Sequence, residues 1–205
     1  MRGITALLSA LTLALVAAPP AGADAVADAI SKAQSAYAAG NLREAGAQLQ
    51  AALAGVQAEL AERLAGYLPA PPAGWTADEP RGVGATASAE GGHRGLFVSR
   101  DYHPPGGSTV AISVASDSPL YASLRMLVTN PTLASMAGQP GMEKATVCGF
   151  DAIEDLKGDV GPYEISILAG SRTVISVSSR RTEDIPHVRA LAGSIDCQGI
   201  TGLLE

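Results

Sequence analysis

The spacing of apolar residues changes once along this chain, and the change divides the chain into two parts with different secondary structure. Between Ala25 and Leu68 the sequence is alanine-rich, its apolar residues recur at three- and four-residue steps, and no proline occurs before Pro69. This pattern favours helix throughout. From Leu96 onward the apolar residues alternate with polar ones, which is typical of strands. We therefore predict a helical segment followed by a sheet.

Gly40 and Asn41 interrupt the helical pattern, and both residues suit the end of one helix and the turn into the next. Residues 24–68 are thus predicted to form a helical hairpin. Its small and large packing positions follow the spacing of one tetratricopeptide repeat: Ala33, Gly40, Leu42, Glu44, Ala45, Leu49, Ala52 and Leu53. The segment resembles a unit of that family. No second copy follows, and stacked repeats bury each other's faces, so the hairpin is expected to dock on the rest of the chain or to dimerise.

Residues 69–95 are rich in Pro, Gly and Ala and have no periodicity, which is typical of a linker or a long surface connection. Trp75, the single tryptophan, lies inside this segment. We interpret it as a plug at the edge of an adjacent core, with a ligand-binding platform as the alternative.

Residues 96–205 are predicted to form a second domain in which strands and helices occur in the order β-β-α-β-β-β-β-α. The predicted strands are Leu96–His103, Ser108–Ser116, Glu143–Phe150, Asp151–Lys157, Tyr163–Gly170 and Arg172–Ser179, and the predicted helices begin at Ser118 and Asp184. Runs of consecutive strands predict an antiparallel sheet with helices packed on it, an α+β fold. In element order this resembles the small exported domains of the PsbP and Mog1 type, and element order carries no function.

The first 23 residues have the features of a secretory signal. Arg2 precedes an apolar run from Ile4 to Ala18, which two prolines end, and small residues at Ala21 and Ala23 suit a cleavage site. The run is shorter than the roughly 20 residues that span a bilayer. We predict cleavage near Ala23, a periplasmic or secreted protein and no membrane span.

The net charge bears on the kind of partner, and the cysteines bear on a disulfide. Without Arg2 the chain would carry 13 basic and 20 acidic residues, a net charge of 13 − 20 = −7. This acidity disfavours nucleic acid as a partner. Cys148 and Cys197 are the two cysteines, and in an exported chain they are expected to form a disulfide.

The inventory of reactive side chains predicts neither a catalytic site nor a cofactor. None of the three histidines lies in a nucleophile or zinc motif, and His103, near Asp101 at a strand end, is the best placed of them. Asp117 and Ser118 join a strand to a helix start, where they are expected to cap the helix or to bind a small ligand.

Three methionines fall close together and raise the question of a copper(I) site: Met126, Met136 and Met142. We interpret them as core-filling residues, because no adjacent histidine or Met-x-Met pair accompanies them. No metal site is predicted.

These observations favour a non-catalytic accessory or binding protein of the cell envelope that engages a protein partner through the hairpin or a sheet edge. A homodimer through the hairpin is a further candidate. The alternatives are a periplasmic protein that binds a small molecule or metal, and an enzyme that uses His103 and Asp101.

Overall fold

The computed structural model describes residues 21–83, 95–106, 108–130, 141–156, 162–181 and 184–205. Residues 1–20 of the predicted signal, His93 and Met136 therefore lie outside the described residues, whereas residues 21–23 form the start of a helix. The helices are α1 (Ala21–Ala38), α2 (Leu42–Ala65), α3 (Leu120–Thr129), α4 (Ile185–Gly193) and α5 (Cys197–Leu204). The strands are β1 (Thr76–Ala77), β2 (Arg81–Val83), β3 (Phe97–His103), β4 (Val110–Ala115), β5 (Met142–Val147), β6 (Phe150–Leu156), β7 (Tyr163–Ala169) and β8 (Thr173–Ser179). No helix within these residues is long and apolar enough to cross a membrane.

Helices α1 and α2 form the predicted hairpin. Gly40 adopts the left-handed conformation (φ 76°) that ends α1, and the Asn41 side chain caps α2 by accepting a hydrogen bond of 3.3 Å from the Glu44 amide. The helices pack closely because small residues line their contact: a Cβ at Gly55 would lie 2.6 Å from the Val26 Cγ2 atom. Since Val26 near the start of α1 meets Gly55 in the second half of α2, the helices are antiparallel.

The eight described strands form one antiparallel sheet in the order β1-β3-β4-β8-β7-β6-β5, with β2 also paired to β3. The predicted α+β class, with a helical hairpin preceding an antiparallel sheet, is confirmed. Two features differ from the sequence prediction: the proline- and glycine-rich segment contains the short strands β1 and β2, and α5 follows the helix expected to be last.

One face of the sheet forms the main core. A row of fully buried side chains crosses four neighbouring strands and is made of Val98, Val114, Ile175 and Ile167. The end of α2, with α4 and α5, covers this face. Approach of α2 is close, since a Cβ at Gly82 on β2 would lie 2.7 Å from the Cβ of Ala61.

Helix α3 packs on the opposite face of the sheet. Val128 of α3 forms a smaller buried cluster there with Ile153 and Leu168. Beside it the same face carries a row of serines that crosses four strands, namely Ser99, Ser113, Ser176 and Ser166. The two faces thus differ in chemistry: one is apolar and covered by three helices, and the other combines a small apolar cluster with hydroxyl groups.

The sulfur atoms of Cys148 and Cys197 lie 2.07 Å apart, so the two cysteines are placed as a disulfide. The bond joins the β5–β6 turn to the first residue of α5 and closes a loop of 49 residues. In the chain-entropy model such a closure stabilises the fold by about 4 kcal/mol.

The start of the predicted linker is held against β3. The Pro69 carbonyl accepts hydrogen bonds from the Tyr102 hydroxyl at 2.8 Å and from Arg100 at 3.3 Å, and Arg100 also donates to the Asp78 carbonyl at 2.9 Å. These bonds explain why residues that have no periodicity adopt a defined path: the polar groups of β3 fix them.

Candidate functional site

The residues singled out in the sequence lie at two ends of the sheet. His103 ends β3 and pairs with Thr76, which places Trp75 beside the same end. Asp117 and Ser118 follow β4, whose last residue Ala115 pairs with the first residue of β3. Because β3 is seven residues long, the two pairs are separated by about 20 Å of strand. The structure does not bring the four residues into one site.

The turn that contains Asp117 and Ser118 does not cap α3 as expected. Pro119 occupies the cap position, and no side chain makes a cap hydrogen bond there. Asp117, in the left-handed conformation (φ 49°), instead forms an ion pair with Arg172 at 3.0 Å. The Ser118 hydroxyl is buried and has no hydrogen-bond partner among the described residues. Asp117 thus contributes to the geometry of the turn, and ligand binding at these two residues stays a prediction.

A buried carboxylate organises the other end of the sheet. Asp184, which is 2% exposed, precedes α4 and accepts hydrogen bonds from the hydroxyls of Ser108 and Ser179, the latter at 2.7 Å. The two serine oxygens are 3.0 Å apart. This cluster ties the segment before β4, the end of β8 and the start of α4 to one point.

The charge of Asp184 is stabilised despite its burial. Desolvation by itself raises the pKa of this carboxyl group, because the charged form is disfavoured away from water. The hydrogen bonds from Ser108 and Ser179 act in the opposite direction, and so does electrostatic attraction to the side chains of His187 and Arg181. The net effect lowers the pKa below its ordinary value, so Asp184 is an anion at neutral pH.

Two histidines lie at this end of the sheet. His187 contacts Trp75 edge to face, with ring centroids 5.1 Å apart, and its Nδ1 atom is 3.8 Å from Asp184. His103 lies 3.1 Å from an Asp78 oxygen through its Nε2 atom. Trp75 is partly buried against the main core, in the way a plug at a core edge would be.

An open groove of about 680 Å³ lies at the same end of the sheet. Its lining includes Asp101, Ala111, Glu164, Ser178, Ser179 and Arg180. The register places Ala111 and Ser178 between the two carboxylates, so the groove has a floor of small side chains and an acidic residue on each side. Polar and small ligands fit such a surface better than large apolar ones.

The serines near the groove are placed as structural donors. Ser108 and Ser179 both direct their hydroxyl hydrogens to Asp184, whereas nucleophilic catalysis requires a serine next to a base. Among the described residues no group of three or more His, Cys, Asp or Glu side chains could hold a metal ion. Met126 is exposed, contrary to its interpretation as a core residue, and Met142 packs against the small cluster.

The most unusual surface lies on the hairpin. Six large apolar side chains of α1 and α2 are between 41% and 71% exposed. They are Ile30, Tyr37, Leu42, Leu49, Leu53 and Val56, and we call them the apolar hairpin face. Scattered apolar residues are ordinary on protein surfaces, but a contiguous patch marks a binding surface or an aggregation hazard.

Helix geometry places these six side chains on one side of the hairpin. On α2, Leu42, Leu49 and Val56 recur every seven residues, which returns to nearly the same side of a helix. In each helix an exposed apolar residue directly follows a buried alanine of the helix–helix contact: Ile30 follows Ala29 on α1, and Leu53 follows Ala52 on α2. On both helices the exposed stripe is therefore rotated from the contact in the same direction along the chain. Because the two helices run in opposite directions, this common rotation places both stripes on the same side of the hairpin.

The hairpin also lacks charge where it is most apolar. Residues 45–58 of α2 contain no charged side chain on any side of the helix. A surface helix of a monomer normally presents charged residues to water on the side opposite its core. The composition of this stretch is therefore closer to that of a helix covered in an assembly.

Comparison with protein-family models, curated proteins and solved structures finds no match to this chain. The periodicity of the hairpin identified its apolar residues, but as packing positions and not as an exposed face. The cluster around Asp184 has no sequence signal, because Ser108 and Asp184 are 76 residues apart.

Proposed function

We propose that this chain is a non-catalytic binding protein of the cell envelope that engages a protein partner through the apolar hairpin face. The observation that carries the proposal is the exposure of six large apolar side chains on one side of two helices, three of them within a stretch of α2 that has no charged residue. Protein partners commonly bury such helix faces against apolar side chains of their own. The cysteine pair at disulfide distance and the signal-like first 23 residues support an extracytoplasmic location.

The proposal is tested by cross-linking in the envelope of the host. A photo-reactive amino acid at Leu53 lies on the apolar hairpin face, and the same amino acid at Ala51 lies on the opposite side of α2, exposed to solvent. We expect a protein adduct from position 53 and a much weaker one from position 51. Equal adducts from both positions, or none from position 53, would refute a partner at this face.

Small-molecule binding at the sheet-end groove is the second candidate function. It is favoured by the groove of about 680 Å³, which combines Asp101 and Glu164 with several hydroxyl groups. Ligand binding to the native state raises the melting temperature. A thermal-shift screen of amines and polyhydroxylated compounds, repeated with Glu164→Gln, separates specific binding from a general solvent effect, because only specific shifts depend on residue 164.

A further inference from the structure

We infer that the occupant of the apolar hairpin face is the same face of a second copy of this chain, so that two hairpins meet as a four-helix bundle. This inference rests on the proposed function, since it names the partner of that face. Three features support it: the size of the face, its lack of charge, and Gly46, for which no contact in the described residues requires a glycine.

The size of the face suits a small two-fold interface. At 41% to 71% exposure each of the six side chains leaves on the order of 100 Å² accessible, and the face as a whole roughly 600 Å². Two copies would then bury about 1,200 Å² together, which is the lower end of the range for stable specific interfaces. We therefore expect a dimer with a dissociation constant on the order of micromolar.

Lack of charge favours a second copy over a different protein. An interface with a two-fold axis repeats its own residues, so a charge near the axis would face its like. Residues 45–58 avoid this conflict because they carry no charge, whereas the chain as a whole is acidic, with 20 acidic and 14 basic residues. Selection of a different partner usually relies on complementary charges, and this face offers none for such a partner to recognise.

Gly46 supplies an independent observation. It lies inside α2, four residues after Leu42, and therefore on the same stripe. Glycine inside a helix is less stable than alanine by about 0.5–1 kcal/mol. A Cβ at position 46 would meet nothing within 4 Å, so no contact in the described molecule requires a glycine there. Close approach of a second helix backbone along this stripe would account for it.

Residues 84–94, which lie outside the described residues, lack the side chains to cover the face. Residues 84–94 connect β2 to the segment before β3, and their sequence contains no Leu, Ile, Val, Met or aromatic residue. That segment offers no large apolar group to bury against Leu49 or Leu53.

The test uses residues 24–205, the chain expected after cleavage of the predicted signal, with the Cys148–Cys197 disulfide intact. Sedimentation velocity is measured from 1 to 200 µM for the wild type, for Leu49→Glu/Leu53→Glu on the face, and for Ala47→Glu/Ala51→Glu on the opposite side of α2. Both variants add two carboxylates to exposed positions of the same helix. We expect the wild type and the control to dimerise, and the face variant to weaken the association by about 100-fold or more, because four carboxylates would be buried without partners.

Single-cysteine variants locate the axis. The native cysteines are paired, so one new thiol is the only free one. We expect Leu49→Cys or Val56→Cys to form a covalent dimer under mild oxidation and Ala51→Cys to remain monomeric. A wild type that is monomeric up to 200 µM, or a dimer that Leu49→Glu/Leu53→Glu leaves intact, overturns the inference.

Failure of the inference is distinct from failure of the proposed function. A monomeric purified chain whose position 53 still cross-links to another protein in the envelope overturns the second-copy inference and retains the proposed function. Vesicle binding that is lost in Leu49→Glu/Leu53→Glu, with no protein adduct at position 53, overturns both, since the face would then contact lipid.

Discussion

The carboxylate of Asp184 offers the sharpest test of the packing at the sheet end. We expect Asp184→Asn to lower the free energy of unfolding by about 2–3 kcal/mol at pH 7. Hydrogen bonds to a charged group contribute about 1.5–3 kcal/mol each, and the Ser108 and Ser179 hydroxyls converge on one oxygen of this carboxylate. An asparagine keeps one acceptor oxygen, but it removes the charge and turns an NH₂ group toward a cluster of donors.

The effect of Asp184→Asn has a defined pH dependence. In the folded chain the pKa of Asp184 lies below its ordinary value, so the folded state binds a proton less readily than the unfolded state. Its contribution is therefore fully present above the unfolded pKa of about 3.9, and it is lost as the pH falls through the folded pKa. The asparagine variant has no such dependence. The difference between the two proteins should shrink as the pH falls from 5 toward 2.

Urea denaturation with the disulfide intact, followed by circular dichroism at several pH values, measures this difference. Asp117→Asn is the matched control, because Asp117 is an exposed carboxylate paired with Arg172, and exposed pairs contribute about 0–1 kcal/mol. A loss in Asp184→Asn that stays constant from pH 7 to pH 2, or that equals the loss in the control, would refute the assignment of a stabilised buried anion.

Three further expectations concern the disulfide, the hairpin and one tyrosine. Cys148→Ala/Cys197→Ala should lower the free energy of unfolding by about 4 kcal/mol in urea, and a loss below about 1 kcal/mol would contradict the loop-closure argument. Gly46→Ala should stabilise the monomer by about 0.5–1 kcal/mol in dilute thermal melts while it raises the dissociation constant of the dimer; an unchanged constant would remove Gly46 from the interface. Burial, and to a lesser extent a hydrogen bond to Glu154, raises the pKa of Tyr163 to about 12. In an alkaline titration followed by absorbance at 295 nm, Tyr163→Phe should therefore remove the phenol that ionises last.

The sheet could be predicted from the sequence because its strands carry a local signal. β7 and β8 are dense in β-branched residues. Each strand from β3 to β8 matches a predicted strand to within about one residue at either end, apart from the start of β4 and the end of β5. Strands β1 and β2 are two and three residues long, too short to show a period. Helix α5 contains Gly199 and Gly202, which lower its helix propensity, and it is held instead by the disulfide and by buried Ile200.

The candidate sites could be predicted only in part, for a physical reason. The period of α2 identifies Leu49 and Leu53 as apolar positions, but whether a third element covers them depends on where the sheet ends relative to the hairpin. Contacts such as Asp184 with Ser108 and Ser179 depend on the pairing of β4 with β8, which a local pattern does not contain. The pairing of Cys148 with Cys197 could be predicted because a disulfide needs two cysteines and the chain has only these two.

The strand order has a consequence for how the chain reaches this fold. β3 and β4 are neighbours in sequence, and so are β5, β6, β7 and β8, so two pieces of the sheet can form from local pairings. The β4–β8 pairing alone joins them, with Val114 opposite Ile175 across 61 residues of chain. The chain must lose the conformational entropy of closing that long loop before the core contacts can stabilise the pairing. Such non-local pairings slow folding. We therefore expect the seam between β4 and β8, which Asp184 also closes through Ser108 and Ser179, to limit the rate of folding.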